Sequence, residues 1–271
     1  MTGKTVLITG ATGGIGLEVA RELARQGARV LIGARDSGKG QAVISEIEGA
    51  GGKADFLRID MASFESIREA AARVKMAHPK LDVLVNNAGV VTKKREVNAD
   101  GHEVIWATNF LGPALLTRLL LPQLLAAPKP RVVNVSSMAH AYGRINWNDL
   151  ELSKGWRGIR AYANSKLALV LFAREFARRE PQIAVNAVHP GAIATGIWRA
   201  APQPFRFFLD LFLPSPKKGA EPVVRLASAP EIEGVSGRYF DREREVAPAP
   251  AAGNDADAAR LWDLVTPALT A

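Results

Sequence analysis

Thr5-Val-Leu-Ile-Thr9 is apolar at consecutive rather than alternate positions, and comparable runs recur at 29–34, 54–60, 81–85, 131–135 and 183–188. A strand with two apolar faces has to be covered on both of them. Segments of helical length separate these runs: 14–26, 38–50, one opened by Ser63 as N-cap and ending near 77, a long stretch over 100–125, and 161–179. Apolar strands alternating with helices predict a parallel sheet with helices on both faces, a doubly wound α/β architecture. No internal repeat, low-complexity tract or linker divides the chain, so residues 1–271 are expected to form a single domain. The Pro/Ala-rich piece 247–252 reads as a loop before a last short helix near 255–264.

The first strand runs into Thr9-Gly10-Ala11-Thr12-Gly13-Gly14-Ile15-Gly16. Glycine permits positive φ and close approach of the backbone to a ligand, and the free N–H groups that open the next helix favour a phosphate. A tight strand–helix turn without a ligand would use the same residues. The second strand ends Gly33-Ala34-Arg35-Asp36, with Lys39 following. A carboxylate at this point would bind the ribose 2′-hydroxyl of NAD, whereas a cation accommodates the 2′-phosphate of NADP. Arg35, with Lys39 adding charge, favours NADP(H); Asp36 leaves NAD(H) open.

With no cysteine in 271 residues, disulfides, thiolate nucleophiles and iron–sulfur clusters are excluded. The four histidines show no metal-ligand spacing, so no metal is expected. The net charge of +8 is spread over both halves, and no basic helix interleaved with aromatics suggests nucleic acid. The N-terminus lacks a signal-peptide pattern, and nothing approaches the ~18 uninterrupted apolar residues of a membrane span. A cytoplasmic protein without a membrane anchor is therefore expected.

Of three tyrosines, only Tyr162 has a lysine four residues on, Lys166. On a helix the two share a face. An ammonium about 4 Å from a phenol is worth about 4 kcal/mol at an effective dielectric near 20, roughly three pKa units, which would bring the phenol near 7. Asn134-Val135-Ser136-Ser137 and Asn86-Asn87-Ala88-Gly89 each end a strand, where open α/β sheets bind ligands. Asn109 lies within the helical stretch that follows, an unfavourable place for an amide without a task. His189-Pro190-Gly191 follows the next strand and could shape a loop over a nicotinamide.

Together these pieces resemble the short-chain dehydrogenase/reductase family over nearly the whole chain, from Thr5 to at least Phe240. The retinol-dehydrogenase-like branch is the most similar, on the stretches 33–40, Ser136-Ser-Met-Ala-His140, Tyr162-Ala-Asn-Ser-Lys166, 236–240 and 260–262. The resemblance implies a seven-stranded parallel sheet of order 3-2-1-4-5-6-7. It gives Tyr162 the role of acid–base, Lys166 that of its pKa-lowering partner and ribose ligand, Ser137 that of polarising the carbonyl, and Asn109 that of holding a water in a proton relay. The cofactor would be lined by Gly10, Thr12, Gly13, Gly14, Ile15, Gly16, Arg35, Lys39, Asp60, Met61, Asn87, Ala88, Gly89, Tyr162, Lys166, Pro190, Gly191, Ile193 and Thr195.

The implied reaction is hydride transfer between NADP(H) and a hydrophobic aldehyde, ketone or alcohol, as in a retinol-dehydrogenase-like carbonyl reductase. A ketoreductase of natural products is one alternative and a non-catalytic NADP-sensing regulator another. A homodimer or homotetramer through the helices carrying Asn109 and Tyr162 is implied as well. The loop with Tyr142, Trp147 and Trp156 is expected to border the substrate, and the aromatic-rich segment 196–218 to form either a lid or a buried interface helix.

Overall fold

The computed structural model describes residues 1–191 and 215–270. The apolar runs form β1 (Thr5–Thr9), β2 (Arg29–Ala34), β3 (Lys53–Arg58), β4 (Val83–Asn86), β5 (Arg131–Val135) and β6 (Ala184–His189). They alternate with α1 (Gly14–Arg25), α2 (Ser37–Gly49), α3 (Phe64–Ala77), α4 (Val104–Trp106), α5 (Gly112–Leu119), α6 (Leu121–Leu125) and α7 (Gly158–Arg179). After the undescribed segment come α8 (Pro216–Ser228), β7 (Tyr239–Asp241), β8 (Arg244–Val246) and α9 (Asp255–Thr270). Ser63 caps α3 as expected, its side chain accepting from the Ser66 N–H. Ile193, Thr195 and most of the expected lid lie outside the described residues, while Pro216–Lys218 at its end open α8.

The sheet order is β3-β2-β1-β4-β5-β6-β7-β8. Seven strands are parallel in the expected order, and β8 pairs antiparallel with β7. The eighth strand is a correction to the seven-stranded expectation. It is three residues of Arg-Glu-Val with two of them exposed, joined to β7 by a tight turn that puts Arg242 at φ 54. Such a strand carries no buried-strand signal in its sequence.

β1 shows how consecutive apolar residues serve two layers. Leu7 enters a core with α3, α5, α7 and α9, whereas Val6 and Ile8 enter the opposite one with α1, α2 and α8. α9 packs on α7: Trp262 stacks on Phe172 at 5.4 Å and 14°, with Arg118 and Arg179 cations 5.3 and 5.0 Å from its ring. Part of α7, a helix expected to pair with a second copy, is thus covered by the chain's own C-terminus.

The expected helix over 100–125 is broken into pieces. Ala107–Leu111 is a π-helical stretch in which the Gly112 N–H reaches back to the Ala107 carbonyl. Pro113 has no N–H to give the carbonyl of Asn109 four residues back, so an α-helical ladder could not continue there. Gly112 lies so close to the Met61 carbonyl that a Cβ would clash with it.

Candidate active site

The carboxyl ends of the parallel strands open onto a cleft of about 570 Å³. Gly10 and Gly14 take φ of +69 and +56, which only glycine adopts freely. Gly13 precedes α1 without any side-chain cap, leaving the first N–H groups of that helix to meet an anion. Gly10, Thr12, Gly13, Gly14 and Ile15 all line the cleft. Gly16 does not: a Cβ there would strike the Asn87 amide and the Gly10 carbonyl, so this glycine lets α1 pack against the turn.

The turn is braced from β4. The Asn87 and Ala88 N–H groups donate to Thr9 Oγ1 at 3.0 and 3.1 Å, and Asn87 Nδ2 donates to the Thr9 carbonyl at 2.9 Å. Sequence reasoning missed Thr9, whose only signal was a polar residue ending an apolar strand. Asn86 faces the other way, donating to Asn134 Oδ1 at 2.9 Å and Thr117 Oγ1 at 3.1 Å inside the protein.

At the far end of the cleft Arg35, Lys39, Asp60 and Met61 form the wall. Arg35 is 70% exposed and pairs loosely with Asp60 at 3.9 Å. Asp36 is occupied elsewhere. Its Oδ1 accepts from the Lys39 N–H at 3.0 Å as the N-cap of α2, which holds its carboxyl below the usual range. The wall therefore presents a guanidinium loosely paired with Asp60 and an ammonium 3.5 Å from the Asp36 carboxylate that caps the helix.

The acid–base pair lies at the floor. Tyr162 and Lys166 are one turn apart on α7, both buried, with the Lys166 Nζ 5.6 Å from the centre of the Tyr162 ring. Ser137, two residues beyond β5, lies beside the phenol. The expected lowering of the phenol is not what this geometry produces. Burial pushes Tyr162 up, only partly opposed by Ser137, while Lys166 donates to the Val135 carbonyl at 2.9 Å and burial pushes it down to about 8. For both groups desolvation of the charged form outweighs any charge–charge attraction.

Asn109 is fully buried and does not reach the cleft surface. Its Oδ1 accepts from the Val90 N–H at 2.8 Å, and its Nδ2 donates to the Val90 carbonyl at 3.0 Å and to Ser165 Oγ at 3.1 Å. Ser165 in turn donates to the Tyr162 carbonyl at 2.8 Å. Ser165, also missed from sequence, thus links Asn109 to Tyr162; its position between Tyr162 and Lys166 was the available signal. Gly89 sits between these groups, where a Cβ would lie 3.5 Å from both Asn109 Oδ1 and Lys166 Nζ.

Asn87, Ala88, Gly89, Pro190 and Gly191 also line the cleft, as do His189 and Met138. The loop aromatics divide. Tyr142 is exposed, and Trp156 packs beside Tyr162 and donates to Glu103 Oε1 at 3.1 Å. Trp147 instead joins the main core under Arg260 of α9, 4.5 Å away. Among the described residues no group of three or more His, Asp or Glu could hold a metal, and no helix is long and apolar enough to cross a membrane.

Three comparisons bear on this arrangement. The family model described as short chain dehydrogenase matches residues 4–204. Retinol dehydrogenase 13 of Mus musculus is 41% identical over 96% of this chain and 82% of its own, and the polyprenol dehydrogenase of the same organism is 40% identical over the same shares. Among solved structures, one from Mycobacterium paratuberculosis superposes with a TM-score of 0.81 at 33% identity, covering 99% of this chain and 94% of that one. The Pseudomonas aeruginosa RhlG/NADP active-site complex gives 0.72 at 25% identity, covering 89% and 95%.

Proposed function

Because the chain belongs to the short-chain dehydrogenase family, an oxidoreductase family acting on CH–OH groups with nicotinamide cofactors, we propose that it interconverts a hydrophobic aldehyde or ketone and its alcohol with NADP(H). The observation that carries this reading is a single cleft with Tyr162, Ser137 and Lys166 at one end and Arg35 and Lys39 at the other. Retinol and polyprenol dehydrogenases among the relatives support an apolar substrate.

The glycine turn and the uncapped start of α1 fit a dinucleotide pyrophosphate, and Arg35 fits a 2′-phosphate. A nicotinamide held there would supply or accept the hydride. Ser137 donates a hydrogen bond to the carbonyl oxygen and Tyr162 gives it the proton. A phenol held above its ordinary pKa keeps that proton until an alkoxide-like oxygen develops beside it. Lys166, with a pKa of about 8, exchanges protons close to neutral pH and can restore the one that Tyr162 gives up. Asn109 contributes by fixing Val90 and Ser165, since both atoms of its amide are engaged.

The test is steady-state reduction of a panel of apolar aldehydes and ketones with NADPH and NADH. The wild type is expected to favour NADPH, and Arg35→Ser to lose roughly 10- to 100-fold in kcat/KM for NADPH, the worth of one charge-assisted hydrogen bond. NADH kinetics should hardly change. Equal use of both cofactors by the wild type would contradict the reading of Arg35.

A further inference from the structure

His140 is 4% exposed and belongs to neither the lining of the cleft nor the reaction described above. The Ala249 N–H donates to its Nε2 at 3.2 Å. A backbone amide can only donate, so Nε2 carries no proton, and the neutral imidazole must hold its hydrogen on Nδ1. That Nδ1–H donates to the Ser137 carbonyl at 2.8 Å. The same carbonyl accepts from the His140 backbone N–H at 3.1 Å, so one residue grips it twice. The ring lies against Tyr239 at 4.5 Å, which prevents it from turning away. Burial pushes the imidazole pKa down and so favours the neutral form that this arrangement needs.

We propose that His140 is a positioning residue for Ser137, coupling the catalytic serine to the C-terminal arm through Ala249. The inference rests on the role assigned to Ser137 in the proposed function. Ser137 has an extended backbone, and its Oγ accepts from the Ala139 N–H at 3.2 Å while meeting Tyr162. Holding its carbonyl fixes the peptide plane, and therefore the direction in which the hydroxyl leaves the chain. The arm is anchored in turn by α9, whose Trp262 stacks on Phe172.

The experiment compares His140→Asn, His140→Gln and His140→Ala for kcat, carbonyl KM, NADPH affinity and melting temperature. An Asn amide places a donor where Nδ1 stood and keeps the link to Ser137. A Gln amide reaches only the position of Nε2. The Ala and Gln variants are expected to lose about 10- to 100-fold in kcat, as misplacement of a reacting group does, with NADPH affinity unchanged. The Asn variant should recover most of that loss.

Nitrogen-15 spectra of the wild-type imidazoles should show one histidine locked with its proton on Nδ1. Three variants with wild-type kcat, three falling together in step with melting temperature, or spectra without an Nδ1–H histidine would each overturn the proposal. A wild type that reduces no carbonyl would count against the proposed function, and the imidazole spectra would then decide the His140 link by themselves.

Discussion

Tyr162→Phe is expected to lower carbonyl reduction by about 10²- to 10⁴-fold, the usual worth of a positioned general acid, without weakening NADPH binding by more than a few-fold. The substitution removes one oxygen from a ring that is otherwise packed among Ile105, Leu152 and Ala161. The phenol's polar neighbour is the Ser137 hydroxyl, which retains the Ala139 N–H as a donor. The fold therefore has little reason to respond. The turn at Gly10–Gly16 and the wall at Arg35 lie away from the change, which is why cofactor affinity, measured by fluorescence titration, should survive. A variant that keeps wild-type kcat would remove Tyr162 from the reaction. One that loses NADPH binding as well would show that the hydroxyl holds the cofactor rather than supplying the proton alone.

Lys166→Met is expected to make the protein more stable at pH 7 while abolishing turnover. The buried ammonium titrates at about 8 in the folded chain against an ordinary 10.5, so the unfolded chain binds the extra proton between those values. Stability consequently rises with pH across that window. Below it the cost of burying the charge is fully present, about 3 kcal/mol at 1.36 kcal/mol per pKa unit. Methionine has similar length and no charge to desolvate, although it forfeits the hydrogen bond to the Val135 carbonyl, worth about 1 kcal/mol.

The net gain is on the order of 2 kcal/mol at pH 7, shrinking as pH rises from about 8 towards 10.5. Urea denaturation of both proteins at several pH values in that range measures it. A variant less stable than the wild type at pH 7 would mean that the ammonium stabilises the fold and that burial is not the dominant influence upon it. Retention of such a costly group is what a site that trades stability for chemistry would show.

The two layers of the fold were legible because Val6, Leu7 and Ile8 are all apolar, and a strand of that kind has one environment open to it. The acid–base pair was legible for a similar reason: helical spacing alone puts Tyr162 and Lys166 on one face. The direction of their pKa shifts was not, because it depends on how much water reaches the pair. That is decided by β5, by the α4–α5 region and by the loop carrying Trp156. β8 escaped notice because a three-residue hairpin arm with charged side chains looks like a turn. The π-helical stretch could have been suspected from Pro113 standing four residues after Asn109. Trp147 could not be assigned from sequence, since its partner Arg260 is more than a hundred residues away. His140 shows the same limit in part: its contact with Ser137 is local, three residues away, but Tyr239 and Ala249 lie roughly a hundred residues on and are brought to the ring only by the fold.

The central claim is that this cleft moves a hydride between a nicotinamide and an apolar carbonyl, with Tyr162 supplying the proton. It is tested most directly by a reaction of the wild type and Tyr162→Phe with NADPH carrying deuterium at the transferable C4 position and an apolar aldehyde, the product being read by mass spectrometry and NMR. The wild type should deliver one deuterium to the carbinol carbon, and Tyr162→Phe should deliver almost none in the same time. Wild-type protein that binds NADPH yet places no deuterium in any product across the carbonyl panel would contradict the account.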